Sequence, residues 1–154
     1  SRILGGRRVE RILFAATKAD HLHHSQHPRL TAIVEAMLRE AKDRGDFAGA
    51  RTAAMSMAAL RTTTEAEVTH EGATRGVVQG RLAGGGRQTA FHPGDLPSDP
   101  AHLLSPARAG ERAWLDGDYG RMDFAPPRLT LAPGDGPPHI RLDRAAEFLI
   151  GDRL

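Results

Sequence analysis

An α/β fold is what this sequence predicts, and three observations predict it. Residues 9–16 (VERILFAA) form a short apolar run that stops in polar residues. A stretch with helical periodicity follows from Pro28, and a second short apolar run lies at residues 52–60 (TAAMSMAAL). Strand, helix, strand in that order is a βαβ unit, whose strands run parallel through a right-handed crossover. Ligands of such sheets bind outside the carboxyl ends of the strands. Residues 17–20 and 58–61 are those two ends, on one edge of the sheet.

The first run reads as a strand buried on both faces. Pro28 suits a first helical position. Leu30, Ile33, Val34, Met37, Leu38 and Ala41 then share one helix face, and Gly45 is a C-terminal stop. Alanine and methionine would also permit a helix at residues 52–60, but the short length between polar stretches favours a strand. Beyond Arg61 the texture changes. Residues 64–70 alternate, Glu71-Gly72 signals a turn, residues 74–82 extend again, and Gly84-Gly85-Gly86 precedes a short strand at residues 88–92. This reads as a small antiparallel meander. Residues 93–110, rich in Pro and Asp, read as a connector, with a short helix around Trp114 in residues 108–116. Pro126-Pro127 and Pro137-Pro138 frame extended segments, and residues 142–150 close the chain as a helix.

The chain's 154 residues suit one domain, and 40% hydrophobic content is globular. No run approaches the roughly 18 apolar residues of a membrane span, and no signal-peptide pattern opens the chain. With Cys 0, disulfides, thiolate metal sites and cysteine nucleophiles are excluded, which fits a cytoplasmic protein. The formal charge of +2 and the pI of about 9.6 agree, because Lys18 and Lys42 are the only lysines and the other basic residues are arginine. Those arginines are scattered and aromatics are 5%, so a nucleic-acid surface is not expected.

Thr17-Lys18-Ala19-Asp20 at the end of the first strand matches the Asn/Thr-Lys-x-Asp loop by which GTPase folds read guanine. A carboxylate at Asp20 accepts two parallel hydrogen bonds from the N1–H and N2–H₂ groups of guanine, a donor pair that adenine lacks. A site built on that pair rejects the wrong base, because its carboxylate would be left unpaired. Lys18 lays its apolar stem over the base while its ammonium stays wet, and the Thr17 oxygen braces the loop. The second strand end would supply a backbone N–H to the guanine O6, from Ala59 or Leu60 within residues 59–61 that close on Arg61.

Four histidines, His21, His23, His24 and His27, crowd the next residues. His23 and His27 have the i, i+4 spacing of a helical zinc pair, but Pro28 places the helix after them, so a polar loop of titratable rings is the plainer reading. GTP hydrolysis needs a Gly-x-x-x-x-Gly-Lys-Ser/Thr loop, and neither lysine follows a glycine. Gly84-Gly85-Gly86-Arg87 reads as a turn. Asp46-Phe47-Ala48-Gly49 matches a switch-region string but follows the specificity loop, the wrong order for that role.

"FAATKADHLHHSQHPRLTAIVEAML", "FHPGDLP", "FAPPRL" and "GPPHIRLDRAAEFLIGDRL" together resemble the C-terminal part of the YcjX-like family of bacterial P-loop NTPases, a stress-linked group. The resemblance implies a GTPase-like P-loop NTPase fold. Residues 1–61 would be the C-terminal half of its nucleotide-binding core, residues 62–124 a β-rich insertion, and residues 125–154 an extended segment and helix returning to the core. It implies binding of GTP or GDP, with Thr17, Lys18 and Asp20 as the specificity loop and Ala59, Leu60 and Arg61 as the next loop, although Ala58-Ala59 replaces the serine usual there. Phosphate loop, Mg²⁺ ligands and catalytic residues would lie in a preceding portion, so the complete protein would be a GTPase and this chain alone inactive. Two other classes stay open: a non-catalytic scaffold whose insertion binds a protein partner, and a histidine metal site.

Overall fold

A computed structural model of the protein describes residues 9–43, 49–111, 119–130, 132–133 and 136–153. The architecture is mixed α/β, with one parallel and one antiparallel sheet among the described residues. Strand β1 (Arg11–Ala16) pairs in parallel with β2 (Arg51–Ser56), in the register Arg11↔Arg51 through Ala16↔Ser56. Helix α1 (His27–Asp43) connects them and packs on both. It begins one residue earlier than the proline signal implies, because a 3₁₀ turn (His24–Gln26) runs straight into it. Leu38 and Ala41 are its buried apolar residues. Gly45 and most of the Asp46–Gly49 string lie outside the described residues.

The expectation that β1 is buried on both faces is not met. Its residues are half-buried, with Ala15 exposed. Two strands and their covering helices hide less surface than a wide sheet does. The second strand is also shorter than its apolar run. After Ser56 the chain leaves β2, and Ala58 makes an isolated antiparallel bridge to Ile140, exchanging hydrogen bonds of 3.0 and 2.8 Å.

The meander is β3 (Thr63–His70), β4 (Ala73–Arg81) and β5 (Gln88–Phe91), antiparallel in that order. His70 pairs with Ala73 across the two-residue turn Glu71-Gly72, where φ is 52° and 79°. Positive φ at both central residues is the hairpin turn whose twist matches the strands, and it is why glycine stands at the second. The Gly84–Gly86 segment is a turn closed by Leu82 N–H to the Arg87 carbonyl and Gly86 N–H to the Leu82 carbonyl.

Residues 93–110 are more than a connector, since helix α2 (Ala101–Arg108) forms within them. Asp99-Pro100 begins it: the Asp99 carboxylate accepts the Ala101 N–H at 2.9 Å, and proline is tolerated at a helix start. An Arg108–Glu40 ion pair ties α2 to α1. Residues 112–118, which include the expected helix around Trp114, lie outside the described residues. Helix α3 (Leu142–Ile150) forms over the predicted span and packs on β1, where Arg11 donates to the Phe148 carbonyl at 2.9 Å and pairs with Asp152. Among the described residues no helix is long and apolar enough to cross a membrane.

Candidate functional site

The loop after β1 turns because Lys18 takes a left-handed conformation (φ 59°, ψ 34°), rare for a side chain of its size. That conformation carries the chain into a one-turn 3₁₀ helix (Ala19–His21) and sinks its first two residues, leaving Thr17 and Lys18 exposed. Ala19 is fully buried and its N–H donates to the Met57 carbonyl at 3.0 Å, so the loop is sewn to the chain leaving β2. Strained backbone of this kind persists only where neighbours enforce it.

Asp20 is 3% exposed. Its Oδ2 accepts the Thr62 N–H at 2.8 Å and the Thr62 hydroxyl at 2.7 Å, and its carbonyl accepts the Thr63 hydroxyl. A carboxylate offers about four acceptor sites on two oxygens. Among the described residues Oδ1 has no hydrogen-bond partner. Sequence reasoning missed Thr62 and Thr63, which lie just past the second loop and carry no motif of their own.

In that second loop, the Ala58 N–H is spent on Ile140 and the Arg61 N–H on the Pro138 carbonyl at 2.7 Å. Between them Ala59 and Leu60 are exposed, and neither amide is hydrogen-bonded among the described residues. The Arg61 side chain turns away, donating from Nε to the Thr63 carbonyl at 2.9 Å and lying 3.7 Å from Glu65. A cleft of about 670 Å³ opens beside Lys18 and His21, walled by Phe91, Leu96 and Tyr119. Its size lies in the roughly 300–1,000 Å³ range of ligand sites, but Asp20 is not among its lining residues.

The histidines separate into different jobs. His21 lies edge-on to Phe124, with ring centroids 5.2 Å apart. His27 is buried and locked at both nitrogens: Nε2–H donates to the Ala19 carbonyl at 2.8 Å and to Leu22 at 3.2 Å, while Nδ1 accepts from Arg141 at 2.9 Å. Burial is the largest cause that lowers its pKa and Arg141 lowers it further, while the two carbonyls and the Glu65 charge only partly oppose them, so the ring titrates below its ordinary range. The i, i+4 pair His23 and His27 is therefore not a ligand pair. His23 and His24 instead meet Glu65 of β3, with His24 Nδ1 2.7 Å from the carboxylate. Burial would raise the Glu65 pKa, but the His24 hydrogen bond and the charges of His24, His23 and Arg61 outweigh it and leave it lowered.

Arg141 is a further residue the sequence did not flag. It sits in a left-handed conformation (φ 56°, ψ 19°) at the start of α3. Its guanidinium donates to the Ser56 carbonyl at 2.5 Å, to the Ser56 hydroxyl at 2.8 Å and to His27. The closing segment, the end of β2 and the start of α1 thus meet beside the loop that bears Asp20.

The YcjX-like family, DUF463, matches residues 1–154. Among curated proteins, the chain is similar to the "Ras-like GTPase YcjX" of Escherichia coli (strain K12), 31% identical over 147 residues. It is equally similar to the protein of that name from Shewanella oneidensis, 31% identical over 149 residues. These alignments cover 95% and 96% of this chain but 29% of the length of each relative.

Proposed function

This chain belongs to the YcjX-like family, and on that footing we propose that it is the guanine-recognising part of a GTP-binding, GTP-hydrolysing protein with a P-loop NTPase core. One observation carries the reading. A buried carboxylate, Asp20, lies at the carboxyl edge of two parallel strands with Oδ2 braced by Thr62 and acceptor capacity left over. Bracing fixes the carboxylate's direction before a ligand arrives, which is what a base-reading group needs. The remaining acceptor sites would take the N1–H and N2–H₂ of guanine. The exposed amides of Ala59 and Leu60 are the open donors for O6, and Lys18, held exposed by its left-handed turn, would cover the base plane. Thr17 would brace the approach to the loop, and Arg61 would hold its far end through Pro138 and Thr63.

This sequence contains no Gly-x-x-x-x-Gly-Lys-Ser/Thr string. In the proposed reading its residues therefore choose the nucleotide, while phosphate positioning and Mg²⁺ binding fall to other parts of a longer protein. The name "Ras-like GTPase YcjX" of the two relatives supports the choice of GTP.

The test is an exchange of Asp20 for asparagine in the full-length protein. Each hydrogen bond to a charged group contributes about 1.5–3 kcal/mol. Losing one good carboxylate bond to guanine, and setting an N–H₂ against the guanine N2–H₂, should weaken GDP roughly a hundredfold. Xanthine carries a carbonyl where guanine carries N2–H₂, so Asp20→Asn should bind xanthosine diphosphate better than the parent does. ADP affinity should stay constant. A GDP affinity that does not move, or an equal loss for GDP and ADP, refutes the base-reading role.

A further inference from the structure

We propose that His23, His24 and Glu65 form a binding site for a divalent transition cation, with zinc as the type, that fastens the turn after Asp20 to strand β3. One ring nitrogen from each histidine and one carboxylate oxygen all lie within 4.8 Å of one another. Ligands around tetrahedral zinc at about 2.0–2.1 Å are separated by roughly 3.3 Å. Side-chain rotation of an ångström or so would close the set. The His24–Glu65 pair, at 2.7 Å, is already nearer than that, and there an ion would take the place of the shared proton.

The His23 and Glu65 side chains are each held in place by contacts of their own. His23 is 8% exposed. Its Nδ1 is 2.9 Å from the Ser25 hydroxyl, the kind of outer partner that orients a ligating ring. Its ring lies against β4 at Gly76, where an added Cβ would come within 2.5 Å of two ring atoms. Glu65 is anchored by the His24 N–H at 3.0 Å as well as by the His24 ring. His24 is exposed and gives the ion its path from solvent. Two imidazoles with a carboxylate select zinc-like cations over magnesium or calcium, which prefer oxygen, and three protein ligands leave a position for water. Arg61, 3.7 Å from Glu65, opposes the ion's charge and would hold affinity below that of a closed structural site.

The placement gives the site a consequence. Asp20 is joined to Thr62 and Thr63, and His23-His24 would be joined through the ion to Glu65, two residues further on. Both links tie the same two chain segments, so a bound ion would reduce the motion of the loop that carries Asp20. The binding itself does not depend on what Asp20 reads.

The experiment uses tag-free, chelator-stripped protein, titrated calorimetrically with Zn²⁺ and spectroscopically with Co²⁺. We expect one saturable equivalent, a visible Co²⁺ band of a low-coordinate N/O site, and slower amide exchange over residues 19–26 when Zn²⁺ is present. Removing even an outer partner of a metal ligand costs about 10–100-fold in affinity. His24→Ala, which alters an exposed side chain, and Glu65→Gln, which keeps the shape, should each cost at least that and abolish the Co²⁺ band. His102→Ala, on α2 and outside the cluster, should change nothing. Absence of Zn²⁺ binding, affinity unchanged by His24→Ala and Glu65→Gln, or an equal loss in His102→Ala would each overturn the site.

Discussion

Replacing Arg141 with alanine should unfasten the closing helix from the end of β2. The guanidinium makes three hydrogen bonds, to the Ser56 carbonyl, the Ser56 hydroxyl and His27 Nδ1. Ser56 is 1% exposed, so its carbonyl would lose a partner where water reaches it poorly. Its hydroxyl keeps Thr31 at 3.0 Å and is the lesser loss. Hydrogen bonds to charged groups contribute about 1.5–3 kcal/mol each, but these three share one half-buried group and will not add in full, so about 2–4 kcal/mol is the expected cost. The bridge between Ala58 and Ile140 adjoins Arg141 and reports the opening directly. At 1.4 kcal/mol per tenfold, exchange of those two amides should accelerate about 30- to 700-fold. Arg141→Gly separates bonding from backbone strain. It loses the same bonds but relieves the left-handed φ of 56°, and should recover about 1 kcal/mol relative to alanine. Unchanged protection of Ala58 and Ile140 in Arg141→Ala would refute the clasp. A glycine variant no better than alanine would refute the strain.

Two further outcomes follow from buried groups. His27 has a folded pKa lowered below 6.5, first by burial and then by Arg141. The unfolded chain therefore binds a proton near 6.5 that the folded chain refuses, so stability is full above that pH and falls as pH drops toward the folded value. Urea midpoints measured from about pH 7.5 to 5 should show this decline, and His27→Gln, which retains a donor and an acceptor, should flatten it; an equal slope in the variant would mean that other groups set it. Gly80 lies under Phe124, where an added Cβ would stand 2.4 Å from the ring. Gly80→Ala should cost about 1–3 kcal/mol by overpacking, and a second change, Phe124→Leu, should recover much of it; a neutral Gly80→Ala in denaturant unfolding would show that the ring yields.

What could be read from the linear chain was local. Helix α1 announces itself by apolar spacing, α3 by the same spacing within its final residues, and the β3–β4 hairpin by Glu71-Gly72. The candidate base loop is legible as Thr17-Lys18-Ala19-Asp20 because its residue types and spacing are a chemical requirement. Helix α2 was hidden because Asp and Pro serve both loops and helix starts, and composition alone weighs them as loop.

The sequence by itself determined the parallel β1–α1–β2 unit, the meander and the residue types offered at the strand ends, since periodicity and turn chemistry act between near neighbours. Only the tertiary structure decided which distant groups meet them. Thr62 braces Asp20 from 42 positions away, Glu65 takes His24 from 41, and Arg141 reaches His27 from 114. The same fold sends neighbouring histidines to opposite fates: His27 is sealed by two carbonyls and an arginine, while His23 and His24 face a carboxylate. No local pattern encodes such pairings, because they arise from strand register and from the path that brings the closing segment back to the end of β2.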